Sequence, residues 1–172
     1  DRVIIQDNCS TDGTAAIAKE FESEGFEWRL NEAHVSSTEN FNAALQFASE
    51  ADVLHLLTAD DLVALDFYER LLSPLESVDG RALAYAAYEV IDGNGALVQG
   101  GDLVNPFPIE SNGQPRRIAR ERFIASQADL RTICFPAVLM KANRALLPVE
   151  FSLDYIQCAD AAFYAELAAH CE

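Results

Sequence analysis

The sequence predicts an α/β domain: a mostly parallel sheet flanked by helices, followed by a hairpin and a mixed second half. Three observations predict it. Short, unbroken apolar runs alternate with stretches of helical periodicity through the first half of the chain. Polar, acid-rich turns follow at least two of those runs, at Asp7 and at Asp60. Beyond Gly80 the pattern changes to a hairpin signal, a Pro/Gly/Asn-rich loop and further helical segments. Unbroken apolar runs suit strands covered on both faces, and strand–helix alternation is how parallel strands are connected.

Taken in order, Arg2 to Gln6 is the first expected strand. The turn Asp7-Asn8-Cys9-Ser10-Thr11-Asp12-Gly13-Thr14 follows, with Ser10, Thr11 and Asp12 each able to cap a helix over Ala15 to Ser23. Ile17 and Phe21 fall on one face of that helix, at i and i+4. Phe26 to Leu30 is a second expected strand. Ser36 to Ser49 reads as helix, with Phe41, Leu45 and Ala48 on one stripe. Asp52 to Leu57 is another short strand, ending in Thr58-Ala59-Asp60-Asp61. The next helix runs from Leu65 to Ser77 and carries Tyr68, Leu71, Leu72 and Leu75. Ala82 to Ile91, the turn Asp92-Gly93-Asn94-Gly95 and Ala96 to Gln99 form the expected hairpin. Leu103 to Pro115 is a loop long enough to be a functional segment. Residues 116 to 127 are expected as helix, 132 to 140 as strand, and Asp160 to Ala169 as a last helix bearing Phe163 and Leu167.

Composition bounds the function. At 172 residues the chain has the length of one domain, and 50% hydrophobic residues give it a core to bury. A formal charge of −16 repels phosphate backbones, which excludes nucleic acid as a partner; Arg116-Arg117 and Arg120-Arg122 are the local basic exceptions. No apolar run approaches the roughly 20 residues needed to span a bilayer. Cys9, Cys134, Cys158 and Cys171 form no C-x-x-C pair, so neither a zinc site nor a disulfide framework is indicated and a reducing compartment is expected. Because an apolar run follows Asp1 almost at once, the chain is expected to open inside a longer protein.

In an open parallel sheet, ligands bind beyond the carboxyl ends of the strands. Two acidic turns fall at such ends, one opening with Asp7 and one holding Asp60 and Asp61. Gathered carboxylates repel one another and call for a cation. Hard oxygen ligands suit Mg²⁺ or Mn²⁺, with substrate phosphates completing the shell. The alternative is that Asp12 and the Asp60-Asp61 pair merely cap the helices that follow them.

Val3-Ile4-Ile5-Gln6-Asp7-Asn8-Cys9-Ser10-Thr11-Asp12-Gly13-Thr14 resembles the V-V-D-N-x-S-x-D-G-T segment of family-2 glycosyltransferases of GT-A (Rossmann-like) fold. Asn42-Ala43-Ala44-Leu45-Gln46-Phe47-Ala48 is similar to that family's N-x-G-L-x-x-A helix. Leu56-Leu57-Thr58-Ala59-Asp60-Asp61 stands where its D-x-D motif is expected, Tyr88 to Gly95 resembles its later hairpin, and Phe151 to Leu167 resembles the region of its late acidic residue. The pieces occur in the family's order along nearly the whole chain.

The resemblance implies residues 1–80 as a nucleotide-sugar-binding half and residues 81–172 as an acceptor-side half. It implies Asp7 as the contact to the nucleotide base, with Asn8, Ser10, Arg29, Asn31, Asn42 and Asp61 completing the donor site. Asp60 matches the metal-ligating last Asp of D-x-D, bridging Mg²⁺ or Mn²⁺ to the donor diphosphate. Asp160 matches the general base of inverting members. Partners would be a nucleotide-sugar donor and a saccharide or lipid-linked acceptor. The setting would be polysaccharide assembly in the cytoplasm or peripherally at the inner face of the cell membrane.

Three departures qualify this. Thr58 replaces the first Asp of D-x-D. The family's first strand, which lies inside its sheet, has no counterpart here. The Q-x-x-R-W motif of processive synthases is absent, which points to transfer of a single sugar. The competing expectations are a degenerate relative that binds nucleotide weakly without catalysis, a sugar-phosphate nucleotidyltransferase, and a non-enzymatic α/β interaction domain.

Overall fold

The computed structural model describes residues 1–98, 114–128, 134–155 and 158–171. Strands β1 (Ile4–Asp7) and β2 (Glu27–Leu30) pair in parallel, with Ile4 opposite Glu27 and Asp7 opposite Leu30. Helix α1 (Thr14–Glu22) connects them. Helix α2 (Ser37–Leu45) starts in a capping box: Ser36 Oγ accepts from the Glu39 amide at 3.2 Å, and the Glu39 carboxylate accepts from the Ser36 amide at 2.9 Å. The helix expected as far as Ser49 tightens after Leu45 into a 3-10 turn, Gln46–Glu50. There the Ser49 hydroxyl donates to the Gln46 carbonyl at 2.9 Å, a local bond that competes with α-helical pairing.

Two contacts set the direction of the next crossing. The Asn8 carboxamide pairs with both the carbonyl and the amide of Val35 (2.8 and 2.9 Å), holding the start of α2 to the end of β1. Arg2 pairs with Glu50 at 2.5 Å, holding the end of the 3-10 turn to the start of β1. Helix α2 therefore returns antiparallel to β1, and the chain enters β3 (Val53–His55) from the end at which β1 began. Strand β3 ends alongside Phe41 of α2, whose ring meets Phe135 beside the Pro136 carbonyl that His55 bonds.

A second sheet has the order β3–β5–β4, with β4 at Ala82–Tyr85 and β5 at Val138–Lys141. Strand β5 is antiparallel to both neighbours, placing Leu139 opposite His55 and Ala84. The expected hairpin forms at its tip but does not extend along β4. Strand β4 takes β5 as its partner, while the Asp92 turn closes a short antiparallel pairing in which Ile91 faces Leu97 and the Val98 amide donates to the Val90 carbonyl at 2.9 Å. Pairing with β5 gives β4 a buried neighbour, whereas Val90, Ile91, Leu97 and Val98 all stay exposed. Most of the expected 103–115 loop, and Gln99 of the hairpin, lie outside the described residues.

The unbroken apolar run in β5 serves two cores, because successive side chains point to opposite faces. Val138 and Met140 join Leu45, Leu56, Phe123, Phe163, Tyr164 and Leu167 on one face. Leu139 joins Phe67, Leu71, Leu75 and Ala82 on the other, under helix α3 (Phe67–Glu76). Lys141 Nζ then donates to the Leu75 and Val78 carbonyls, satisfying groups the end of α3 leaves open. Helices α4 (Arg120–Ala128) and α5 (Ala159–Ala169) pack against each other. Arg120, at the start of α4, donates to the Cys171 carbonyl beyond the end of α5 (3.2 Å), so the pair is antiparallel. Among the described residues, neither the edge of β1 away from β2 nor the edge of β3 away from β5 has a strand partner.

Candidate active site

The first acidic loop is built around Asp7, which is only 4% exposed. One carboxylate oxygen accepts from the Ser10 amide at 2.9 Å and the other from Trp28 Nε1 at 3.3 Å. Cys9 adopts φ 58°, and this left-handed step lets the loop fold back onto Asp7. Burial pushes the Asp7 pKa up, but the bonds from Ser10 and Trp28 outweigh it and hold the group below the ordinary carboxylate value. A depressed pKa contributes stability that is present above the unfolded value and lost as pH falls through the folded one. Asp7→Asn is therefore expected to cost roughly 1–3 kcal/mol at pH 7 by presenting an amide N–H to a donor. The deficit should shrink below the ordinary Asp range, a convergence that urea titrations at neutral and acid pH would reveal.

Around Asp7 the carboxamides form a network. Asn31 donates to Asn8 at 3.1 Å and to Asn40 at 2.9 Å, and accepts from Gln6 at 2.8 Å. Asn8 and Asn31 thus tie the ends of β1 and β2 to the start of α2. Asp12 accepts from the amide and hydroxyl of Thr14 (2.9 and 2.6 Å), which orders the start of α1. Ser10 is exposed, with its amide turned to Asp7. Arg29 lies exposed on β2, paired with Glu27 at 2.7 Å, which in turn pairs with Arg2. Asn42 faces away from this group: its carboxamide donates to the Phe151 carbonyl at 2.9 Å and accepts from the Phe151 amide at 2.7 Å.

The second acidic loop leaves β3. The Asp61 amide donates to the Thr58 carbonyl at 3.2 Å, and the Thr58 hydroxyl donates back to the Asp61 carboxylate. The residue that replaces the first Asp of the motif is thereby committed to the last acidic residue of the turn. Asp60 sits exposed on the same turn, and no described residue bonds its carboxylate. Asp160 occupies the first turn of α5, half-buried, with one oxygen accepting from the Ala161 amide at 2.8 Å.

A short 3-10 turn, Phe135–Ala137, joins these acids. From one side His55, the last residue of β3, bonds the Pro136 carbonyl through Nε2 at 2.7 Å. From the other, Tyr164 donates to the Phe135 carbonyl at 3.1 Å, one helical turn after Asp160. Asp61 and Asp160 are thus carried to the same neighbour, Cys134. Burial pushes its thiol up to about 11, and the charges of Asp61 and Asp160 both add to the shift. A thiol so placed stays protonated and is a poor nucleophile. Beneath them lies an aromatic floor: Phe151 stacks on Phe163 with centroids 4.0 Å apart, and Phe41 meets Phe135 at 4.8 Å.

The metal the motif implies can be tested against these residues. Among the described residues no group of three or more His, Cys, Asp or Glu gathers. The open carboxylate of Asp60 suits a cation such as Mg²⁺, which is commonly held by one or two carboxylates and takes its other ligands from phosphates and water. The donor set fits on those terms.

Sequence reasoning missed His55, Cys134 and Tyr164. His55 is an isolated polar residue in an apolar strand, and Tyr164 stands at i+4 from Asp160, so a signal existed for both.

An α/β domain in which β1 and β3 each lead into an acidic loop, with a later acidic helix near the second, has the layout of a GT-A fold. The chain matches the family model described as Glycosyl transferase family 2 over residues 1–143, and it belongs to that family. The match ends before α5, so Asp160 stands outside it. No curated protein matches the chain. No helix among the described residues is long and apolar enough to cross a membrane.

Proposed function

We propose that this domain transfers one sugar from a nucleoside-diphosphate sugar to an acceptor hydroxyl with inversion at the anomeric carbon. The observation that supports this reading is that His55 and Tyr164 both bond the Phe135–Ala137 turn, and that Asp61 and Asp160 both act on Cys134 beside it. Asp7 and its loop would receive the nucleotide at the neighbouring strand end. Asp60 would hold Mg²⁺ or Mn²⁺, with Asp61 fixed beside it by Thr58. When bound, the cation offsets the charge that grows on the leaving diphosphate. Asp160 has one oxygen engaged by the Ala161 amide and a second available to take the acceptor proton. As the acceptor oxygen bonds to the anomeric carbon, the bond to the diphosphate breaks on the opposite face and the proton passes to Asp160. The sugar, the acceptor, and a setting in cytoplasmic or membrane-peripheral polysaccharide assembly extend this proposal by family resemblance.

A second reading, a relative that binds nucleotide without turnover, is favoured by one observation: where the motif has its first carboxylate this chain has Thr58, a neutral hydroxyl that donates to Asp61 and brings the metal no charge. Thermal-shift titrations with UDP, GDP and dTDP, with and without Mn²⁺, address both. The expected result is stabilisation by at least one diphosphate that requires Mn²⁺ and disappears in Asp60→Ala. Nucleotide binding indifferent to both Mn²⁺ and Asp60 would remove the metal from the mechanism. Binding without release of nucleoside diphosphate from the sugar donor would favour the second reading.

A further inference from the structure

His55 is a partly buried titratable group to which the proposed chemistry gives no part. It stands where the acidic loop leaves β3, and its ring lies against both residues at which that loop re-enters helix α3. The centroid separations are 5.1 Å to Phe67 and 5.6 Å to Tyr68. Nε2 bonds the Pro136 carbonyl at 2.7 Å and Nδ1 bonds the Tyr68 hydroxyl at 3.0 Å. A carbonyl only accepts, so Nε2 carries the proton, Nδ1 is the acceptor, and Tyr68 donates. Burial lowers the His55 pKa, against a partial opposing effect of the Pro136 bond, and so favours this neutral ring. One side chain therefore closes the two ends of the 56–66 loop on each other and fastens them to the turn that adjoins Cys134.

We propose that His55 is a positioning residue for the Asp60-Asp61 turn: through Tyr68 and Pro136 it fixes the loop at the height the donor diphosphate and its cation require. Leu56, buried in the larger core, and Val63, packed on the smaller one, hold the loop on either side of the acids, but among the described residues the Thr58–Asp61 turn between them has only its own local bonds. Those bonds, with Phe67 to Ala64 at the far end, are local and set no position relative to the sheet. Exposed Leu57, Leu62 and Leu65 anchor it no better. The inference rests on the assignment of Asp60 and Asp61 to the donor site made above.

Tyr68→Phe removes one hydroxyl from a partly exposed ring and keeps the ring. His55→Gln keeps a donor for Pro136 and loses the Tyr68 arm. In both, amide hydrogen exchange at Asp61 and Phe67 is expected to rise about 3- to 10-fold, the worth of one hydrogen bond, while β5 amides exchange at unaltered rates. The affinity for UDP, GDP or dTDP, whichever binds, should weaken by a similar factor with Mn²⁺ present and stay unchanged without it. Unaltered loop exchange overturns the proposal. So does faster exchange with unaltered Mn²⁺-dependent affinity, because the bond would then be structural alone. If the unsubstituted protein shows no Mn²⁺-dependent nucleotide binding, the donor-site assignment falls and takes this inference with it; that outcome is distinct from failure in the variants only.

Discussion

Asp160→Asn is expected to reduce release of nucleoside diphosphate from the sugar donor by roughly 10²–10⁴-fold, the range general-base catalysis supplies. The substitution is close to isosteric. The amide oxygen can still accept from the Ala161 amide, as one carboxylate oxygen does at 2.8 Å, so the first turn of α5 keeps its local bond. What is lost is a group able to take a proton. Removing its charge also relieves Cys134, where Asp61 and Asp160 act together, so the fold has no electrostatic reason to suffer. The loss should therefore appear in kcat, with Mn²⁺-dependent nucleotide affinity close to that of the parent. Steady-state kinetics alongside nucleotide titration makes the separation. Turnover within a few-fold of the parent would take Asp160 out of the mechanism, and a parallel loss of nucleotide binding would mark it as part of the donor site instead.

Asn42→Ala is expected to act on stability. Its carboxamide bonds both backbone groups of Phe151, at 2.7 and 2.9 Å, and Phe151 is 3% exposed. Removing the amide leaves a buried N–H and a buried carbonyl without partners, at about 1–3 kcal/mol each, or roughly 2–6 kcal/mol together. The damage should spread beyond the pair, because Phe151 stacks on Phe163 and meets Phe41 and Phe135 in the floor beneath the acids. Urea unfolding is the direct measurement. A normal unfolding midpoint with weakened nucleotide binding would instead return Asn42 to the donor contacts the family resemblance implies.

The contrast between these two residues shows how far the sequence could be read. Both belong to stretches that resemble family motifs, and resemblance alone gave both a part in the site. For Asp160 the structure supplies neighbours that suit the part: the Asp61 charge across Cys134, and a helix start anchored through Tyr164. For Asn42 it supplies a partner, Phe151, far along the chain, which no local pattern announces. Asn8 and Asn31 behave similarly, with their amides turned to Val35, Asn40 and Gln6. An Asn at a strand end signals a turn or a bond to backbone. It does not say whether the partner is a ligand or the protein itself.

By itself the sequence determined the elements of the first half, the α/β class and the two acidic turns. These follow from neighbours a few residues apart: the apolar runs of β1 and β3, the capping box at Ser36 and Glu39, and the Thr58-to-Asp61 turn. Only the tertiary structure decided that β4 pairs with β5 and that His55 and Tyr164 meet the Phe135–Ala137 turn from opposite sides. The reason is physical. Periodicity and turn chemistry are set locally, whereas strand partners and convergent side chains are chosen by which distant surfaces can bury one another. That choice is a property of the packed chain as a whole.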